Sequence, residues 1–276
     1  MDGFPFDLIF AVATASATIF LGFLPTRSIR SGFFARESLK AALAWILVAW
    51  VTPPRIVHFP IFFALLCGGA WWKFSRDSAL SGKMWLSIAS GLGISLGVML
   101  LLAVTPRAYP PDLPQTPQTL LLASIYLGGA VIGLAYVGSR LAVNVSTNSG
   151  VTNAMVRRYV ALLVVLVIAR AVVLAGLLVL TSGMPGHIEF AEYDLPMTQT
   201  SLGNGSTEFI FNHGQDVGIS DKTLLLLGLV VIVIPGLAFF ALRATRFSSR
   251  IQPTQFLVAI CCFGILAETL ARLLVL

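Results

Sequence analysis

Charge is scarce in this sequence. Charged residues make up 11% of the chain while 57% are hydrophobic, against about 25% charged in a soluble domain. With a mean hydropathy of +0.89, this composition excludes a soluble globular protein and implies helices that face a lipid bilayer. The net charge of +6 is therefore a topology signal. No basic stripe with interleaved aromatics accompanies it, which excludes nucleic acid as a partner. Cysteine is also rare. Cys67, Cys261 and Cys262 all sit in apolar runs, where they read as small buried hydrophobes and supply neither a disulfide framework nor a cluster site. The histidines are His58, His187 and His213. No two of them face each other across the membrane, so a bis-histidine haem is excluded. Walker, GxSxG, HExxH and dinucleotide-glycine patterns are all missing, and with them the commonest routes to nucleotide, acyl-transfer and zinc chemistry. The first ten residues are acidic and lack a positive n-region, so the first helix is expected to be retained.

What is present is a series of long apolar runs. The pattern predicts an all-α polytopic membrane helix bundle of about eight transmembrane helices, forming one integral membrane domain over residues 1–276. Helices are expected at 8–24, twice within 41–72, and at 84–104, 120–141, 160–181, 223–242 and 255–276. The 41–72 tract is too long for one crossing and is broken by Pro53, Pro54 and Pro60. Two spanning helices or a re-entrant hairpin both satisfy it. A kink is expected at Pro235-Gly236. Residues 25–40, 73–83, 138–158 and 243–254 hold 13 of the 18 Lys and Arg, which places them in the cytoplasm and both termini outside. Residues 182–222 form the one long polar segment, an outer loop whose HIEFAEY and STEFIFNH stretches suit a small hairpin around LGNGS. Gly91, Gly93, Gly97, Gly128, Gly129 and Gly133 read as close-packing faces. Trp45, Trp50, Trp71, Trp72 and Trp85 read as interfacial anchors.

Two runs carry charge where charge is expensive. Arg170 interrupts the apolar stretch 160–181, and an arginine at mid-bilayer costs roughly 2.5–3.5 kcal/mol on insertion scales. Its partner should be Glu268, which lies in the last helix at a matching depth, about 15 Å and 20 Å from the inner ends of their runs at ~1.5 Å per residue. Arg272, one turn beyond Glu268, competes for the carboxylate or shares it. This group reads as a ligand or proton site, or as an ion pair that locks helices together. His58 and Arg55, at the turn inside 41–72, are candidates for proton exchange with a lipid-soluble substrate. His187, Glu189, His213 and Asp216 have metal-ligand chemistry without a diagnostic spacing.

The terminal helix FGILAETLARLLVL, with Glu268 and Arg272 four apart, resembles the last helix of the integral membrane anchor subunit of the DMSO reductase family. Ala267 stands where that family usually has glycine. The stretch 93–141, with its proline-rich connection and Gly128-Gly129 helix, is similar to the family's central helix pair, and eight helices with outside termini also agree. The resemblance covers roughly residues 85–181 and 254–276. It departs from the family in 41–83, where no acidic residue follows His58 in the outer turn.

The resemblance implies a haem-free anchor in a bacterial inner membrane that oxidises menaquinol near His58 and Arg55. Electrons would pass to an iron–sulfur subunit and on to a molybdopterin subunit. The rival readings are a small-solute or ion transporter working through Arg170 and Glu268, and a structural or assembly protein with no site. The topology is tested by introducing Thr200→Cys and Ser149→Cys singly into a chain without its native cysteines. Impermeant labelling from outside should modify position 200 and spare position 149, and labelling of both from one side would refute the arrangement.

Overall fold

The computed structural model describes residues 6–52, 57–76, 80–92, 115–145, 150–182, 200–201, 207–208, 225–246 and 252–275. Helix α1 is Phe6–Gly22, α2 is Ser31–Val51 and α3 is His58–Ser75. A fourth helix, α4, occupies 80–92. Helices α5 (Gln115–Asn144) and α6 (Asn153–Ser182) follow. A six-residue π-helical segment, Gly228–Val233, leads into α7 (Ile234–Arg246), and α8 is Pro253–Val275.

The helix ends follow local chemistry. α2 stops at Thr52, whose N–H and hydroxyl both donate to the Val48 carbonyl, immediately before a proline that disfavours further helix. Pro60 lies in the first turn of α3, where a missing N–H costs no intrahelical bond. The Thr152 hydroxyl accepts from the Met155 N–H at 3.3 Å and caps α6. The turn before α6 needs Gly150, which has φ +78° and lies so close to the Ser28 carbonyl that a Cβ would collide with it.

Four stretches are long and apolar enough to cross a membrane: Ala123–Asn144, Asn153–Leu177, Leu225–Thr245 and Pro253–Leu270. They make the chain a helical membrane protein. The helices containing them close into a ring, with α5 against α6, α6 against α7, α7 against α8, and α8 against α5. α1 packs on the outside of α5 and carries α2, and α2 pairs with α3. α4 fills the space between, with Ser90 donating to the Thr18 carbonyl at 3.1 Å and Trp85 lying against Gly69. Leu43, Ile46, Leu47 and Trp50 on α2, and Ile61, Phe62 and Leu65 on α3, are exposed, an outward apolar surface suited to lipid.

Several expectations change. α2 begins at Ser31, so residues 31–40 are helix and not loop. Phe33, Phe34, Glu37, Ser38, Ala41, Ala42, Trp45 and Val48 are all buried, and this helical spacing recruits the charged stretch into the fold. Trp45 is a core residue, 1% exposed and stacked on Phe63, while Trp50, Trp71 and Trp72 are exposed. Cys67 is buried as expected, but Cys262 is exposed. The feature beside Pro235 is a widened turn in which the Ile234 N–H donates to the Leu229 carbonyl. Pro235 has no N–H and its ring crowds the carbonyl four residues back, so a π turn relieves both problems.

A two-residue ladder pairs Thr200 with Glu208 and Ser201 with Thr207 around LGNGS. Its second strand lies in the expected stretch. Its first is Thr200–Ser201 rather than HIEFAEY, which falls outside the described residues, as do the proline-rich connection before 115 and Gly93 and Gly97.

At the α1–α5 contact a glycine lies directly against the backbone of the neighbouring helix. A Cβ on Gly133 would stand 2.6 Å from the Ala17 backbone nitrogen and 2.7 Å from the Ser16 Cβ, whereas one on Gly138 would meet only the Leu257 side chain at 3.5 Å. Backbone cannot yield as a side chain can, so Gly133→Ala should cost about 1–3 kcal/mol and Gly138→Ala little. Denaturant unfolding of the purified protein in detergent checks the contrast. Equal effects would mean that α1 and α5 do not approach this closely.

Candidate functional site: a charge pair across the helix ring

Arg170 projects from α6 and Glu268 from α8, and each is only 3% exposed. The structure brings them together as a buried ion pair in which Arg170 Nη2 donates to Glu268 Oε1. Arg170 is 17 residues into α6 and Glu268 is 15 into α8, depths of roughly 26 and 23 Å, so the charges lie level. Both fall within stretches able to cross a membrane.

Helices α6 and α8 are diagonal in the ring, each flanked by α5 and α7. Neighbouring axes lie about 8–10 Å apart, which makes a diagonal of roughly 11–14 Å. Only long side chains close that gap, and nothing may stand between them. Gly128 of α5 meets the second condition. A Cβ there would overlap the Glu268 carboxylate and lie 3.0 Å from Arg170 Cζ. Gly128 had read as a helix-packing glycine like Gly129 and Gly133. Those two do face α1, at Val12 and at Ser16-Ala17, while Gly128 leaves room for the charge pair.

The pair is incompletely satisfied. Arg170 Nε and Nη1 are buried and have no hydrogen-bond partner. Each such group forfeits about 1–3 kcal/mol of lost hydration. A guanidinium carries five N–H donors in a planar fork, so one carboxylate oxygen leaves most of its capacity unused. The Tyr126 hydroxyl, two residues before Gly128 on α5, is also buried without a partner.

The other expected site residues are not gathered here. His58 is exposed at the start of α3, with its ring 4.3 Å from that of Phe59, and α3 packs on α2. Arg55 lies outside the described residues, as do His187, Glu189, His213 and Asp216. Arg272 is on α8 one turn past Glu268, and its side chain is likewise outside the description. Among the described residues no three His, Cys, Asp or Glu side chains cluster to hold a metal.

A second polar cluster went unrecognised in the sequence. Glu268 had read as the only acidic residue well inside a helix, yet Glu37 of α2 is 1% exposed. Its Oε1 accepts from Lys40 Nζ at 2.9 Å and from Arg140 Nε at 3.0 Å, and its Oε2 accepts from the Tyr136 hydroxyl at 2.9 Å. Beside it Arg36 Nη2 donates to Asn144 Oδ1 at 3.2 Å. These bonds tie α2 to the end of α5. The usable signal was the helical spacing of Phe33, Glu37, Ala41 and Trp45, which the arginine-rich surroundings had masked.

The class of protein that this arrangement defines is a helical membrane protein with a charge pair enclosed by its spanning helices. Comparison with known protein families, with characterised proteins and with solved structures finds no match.

Removing Glu268 leaves Arg170 an unpaired buried ion, a loss of about 3–5 kcal/mol. Arg170→Ala and Glu268→Ala should each lower the stability of the detergent-purified protein. The double variant should cost less than the sum of the two. Strict additivity would show that the two side chains do not interact.

Proposed function

We propose that the chain crosses a bacterial inner membrane eight times, with both termini outside the cytoplasm. In this reading it is the membrane anchor subunit of a quinol-oxidising multi-subunit oxidoreductase. It takes electrons from menaquinol and passes them to an iron–sulfur subunit, from which they reach a molybdopterin subunit. His58 and Arg55 are the proposed quinol contacts. The exposure of His58 at the end of α3 supports access from the lipid phase.

The observation that carries this reading is the convergence of two segments. The Gly128-Gly129 helix and the Glu268–Arg272 helix are far apart in sequence and are the parts that resemble the anchor family. They pack side by side as α5 and α8, and Glu268 of one occupies the space left by Gly128 of the other. This packing of two segments distant in sequence supports a shared site.

A second reading has its own support. Arg170 keeps unused hydrogen-bond donors deep in the ring, which favours a small-solute or ion transporter with Arg170 and Glu268 as its site.

Purification of the native complex under mild detergent separates the two readings. The anchor should co-purify with an iron–sulfur protein and a molybdopterin protein, quench a menaquinol analogue's fluorescence on binding, and show no haem absorption of its own. A chain that purifies alone and binds no quinol analogue, or one with a stoichiometric b-type spectrum, would refute the anchor reading.

A further inference from the structure

Glu37 is buried, yet the cations around it are not. Lys40 Nζ and Arg140 Nε both donate to its Oε1, at 2.9 and 3.0 Å, so the two stand within about 6 Å of each other. Their side chains remain 43% and 28% exposed. Arg36, the residue before Glu37, is exposed and joins α2 to α5 through Asn144. These three cations and one carboxylate sum to +2. Both carboxylate oxygens are engaged, the second by Tyr136, so Glu37 fixes where two of the cations stand without cancelling the charge of the group. Cations already held in place lose little freedom when an anion arrives.

The cluster sits where an apolar band begins. Arg140 and Asn144 lie at the end of Ala123–Asn144, a stretch able to cross a membrane. On α2, Arg36 is followed at 4, 7, 11 and 14 residues by Lys40, Leu43, Leu47 and Trp50. At about 100° per residue, these positions fall within roughly 40° of Arg36 around the helix. All five are exposed. A stripe with cations at one end and apolar side chains along the rest has the division of a phospholipid, with phosphate at the headgroup level and acyl chain below it. A soluble anion would leave the apolar part of the stripe unused. A choline or ethanolamine headgroup would bring its own cation to a group that is already positive.

We propose that Arg36, Lys40 and Arg140 form a headgroup site for an anionic phospholipid whose acyl chain lies along Leu43, Leu47 and Trp50 of α2. The phosphodiester oxygens accept hydrogen bonds from the Lys40 ammonium and from the two guanidinium groups. The lipid thereby covers the junction at which Glu37 ties α2 to α5. The site draws on neither Arg170 nor Glu268 and is compatible with the anchor and transporter readings alike.

The test uses the full chain in dodecyl maltoside micelles, to which phosphatidylglycerol or phosphatidylcholine with the same acyl chains is added in steps. Phosphatidylglycerol should raise the melting temperature saturably, and phosphatidylcholine at the same mole fraction should not. Arg36→Gln and Lys40→Gln should each raise the half-saturating fraction of phosphatidylglycerol on the order of fivefold, equivalent to about 1 kcal/mol per charge. Arg36 makes no bond to Glu37, so its replacement leaves the bonds of that carboxylate in place. Arg158→Gln removes an exposed charge from α6 and should leave the half-saturation unchanged. Added salt should weaken the phosphatidylglycerol effect.

Equal stabilisation by the two lipids would overturn the site. So would an equal shift from Arg158→Gln, which would mean that phosphatidylglycerol responds to the charge of the whole surface. Inorganic phosphate that reproduces the effect of phosphatidylglycerol would make the ligand a soluble anion and refute the headgroup assignment.

Discussion

The interaction on which the helix ring depends is the ion pair across its diagonal. Four neighbouring contacts can close a ring of apolar helices, but they are non-directional and permit sliding and rotation. A charge on α6 that must find its opposite on α8 removes that freedom, because any other register leaves an arginine unpaired among hydrocarbon. The pair also dictates composition nearby. α5 must present glycine at 128, because any side chain there would occupy the space of the carboxylate. Gly129 and Gly133 then serve the separate contact with α1. Three glycines within six residues thus do two jobs on two faces of one helix.

The Glu37 cluster plays a comparable part at the end of α5. α2 and α5 are not extensive packing neighbours, and α2 reaches the ring mainly by way of α1. Glu37, held by Arg140 and Tyr136 of α5 and by Lys40 of its own helix, reaches across that gap directly. Arg140 and Lys40 remain partly exposed, at 28% and 43% of their side chains. The carboxylate is thus buried while its cations stay in contact with solvent, which lowers the desolvation cost of the group compared with the fully enclosed Arg170–Glu268 pair. The two clusters suit different purposes for that reason. One joins helices near an aqueous boundary, and the other keeps a charge where water does not reach.

Much of this was legible in the sequence because the membrane environment simplifies the code. Apolar runs located α5, α6 and α8, although α5 and α6 begin five and seven residues before the expected starts at 120 and 160, and the scarcity of buried charge singled out Arg170 and Glu268 as partners. The reading failed where charge and helix coincide. Arg27, Arg30, Arg36 and Lys40 mark a cytoplasmic boundary, and that signal hid the start of α2 at Ser31 and the burial of Glu37. Composition also could not say which way a residue faces. Trp45 and Trp50 differ by five residues, more than one turn, so one is buried and the other exposed. Gly128 and Gly129 differ by one residue, or about 100° of rotation, which is enough to send one to the charge pair and the other to α1.

The unsatisfied edge of Arg170 sets a limit on how much the pair can stabilise the ring. A purely structural lock would gain from a bidentate match, in which both carboxylate oxygens engage the guanidinium and few donors are left over. Here one Arg170 nitrogen serves Glu268 while Nε and Nη1 stay buried without acceptors. Each unmet donor works against the stability that the pair provides, and a helix ring selected for rigidity alone would be more stable with an apolar residue at both positions. The pair therefore fixes the register of α6 against α8 at a cost in unmet hydrogen bonds that an apolar pair would not carry.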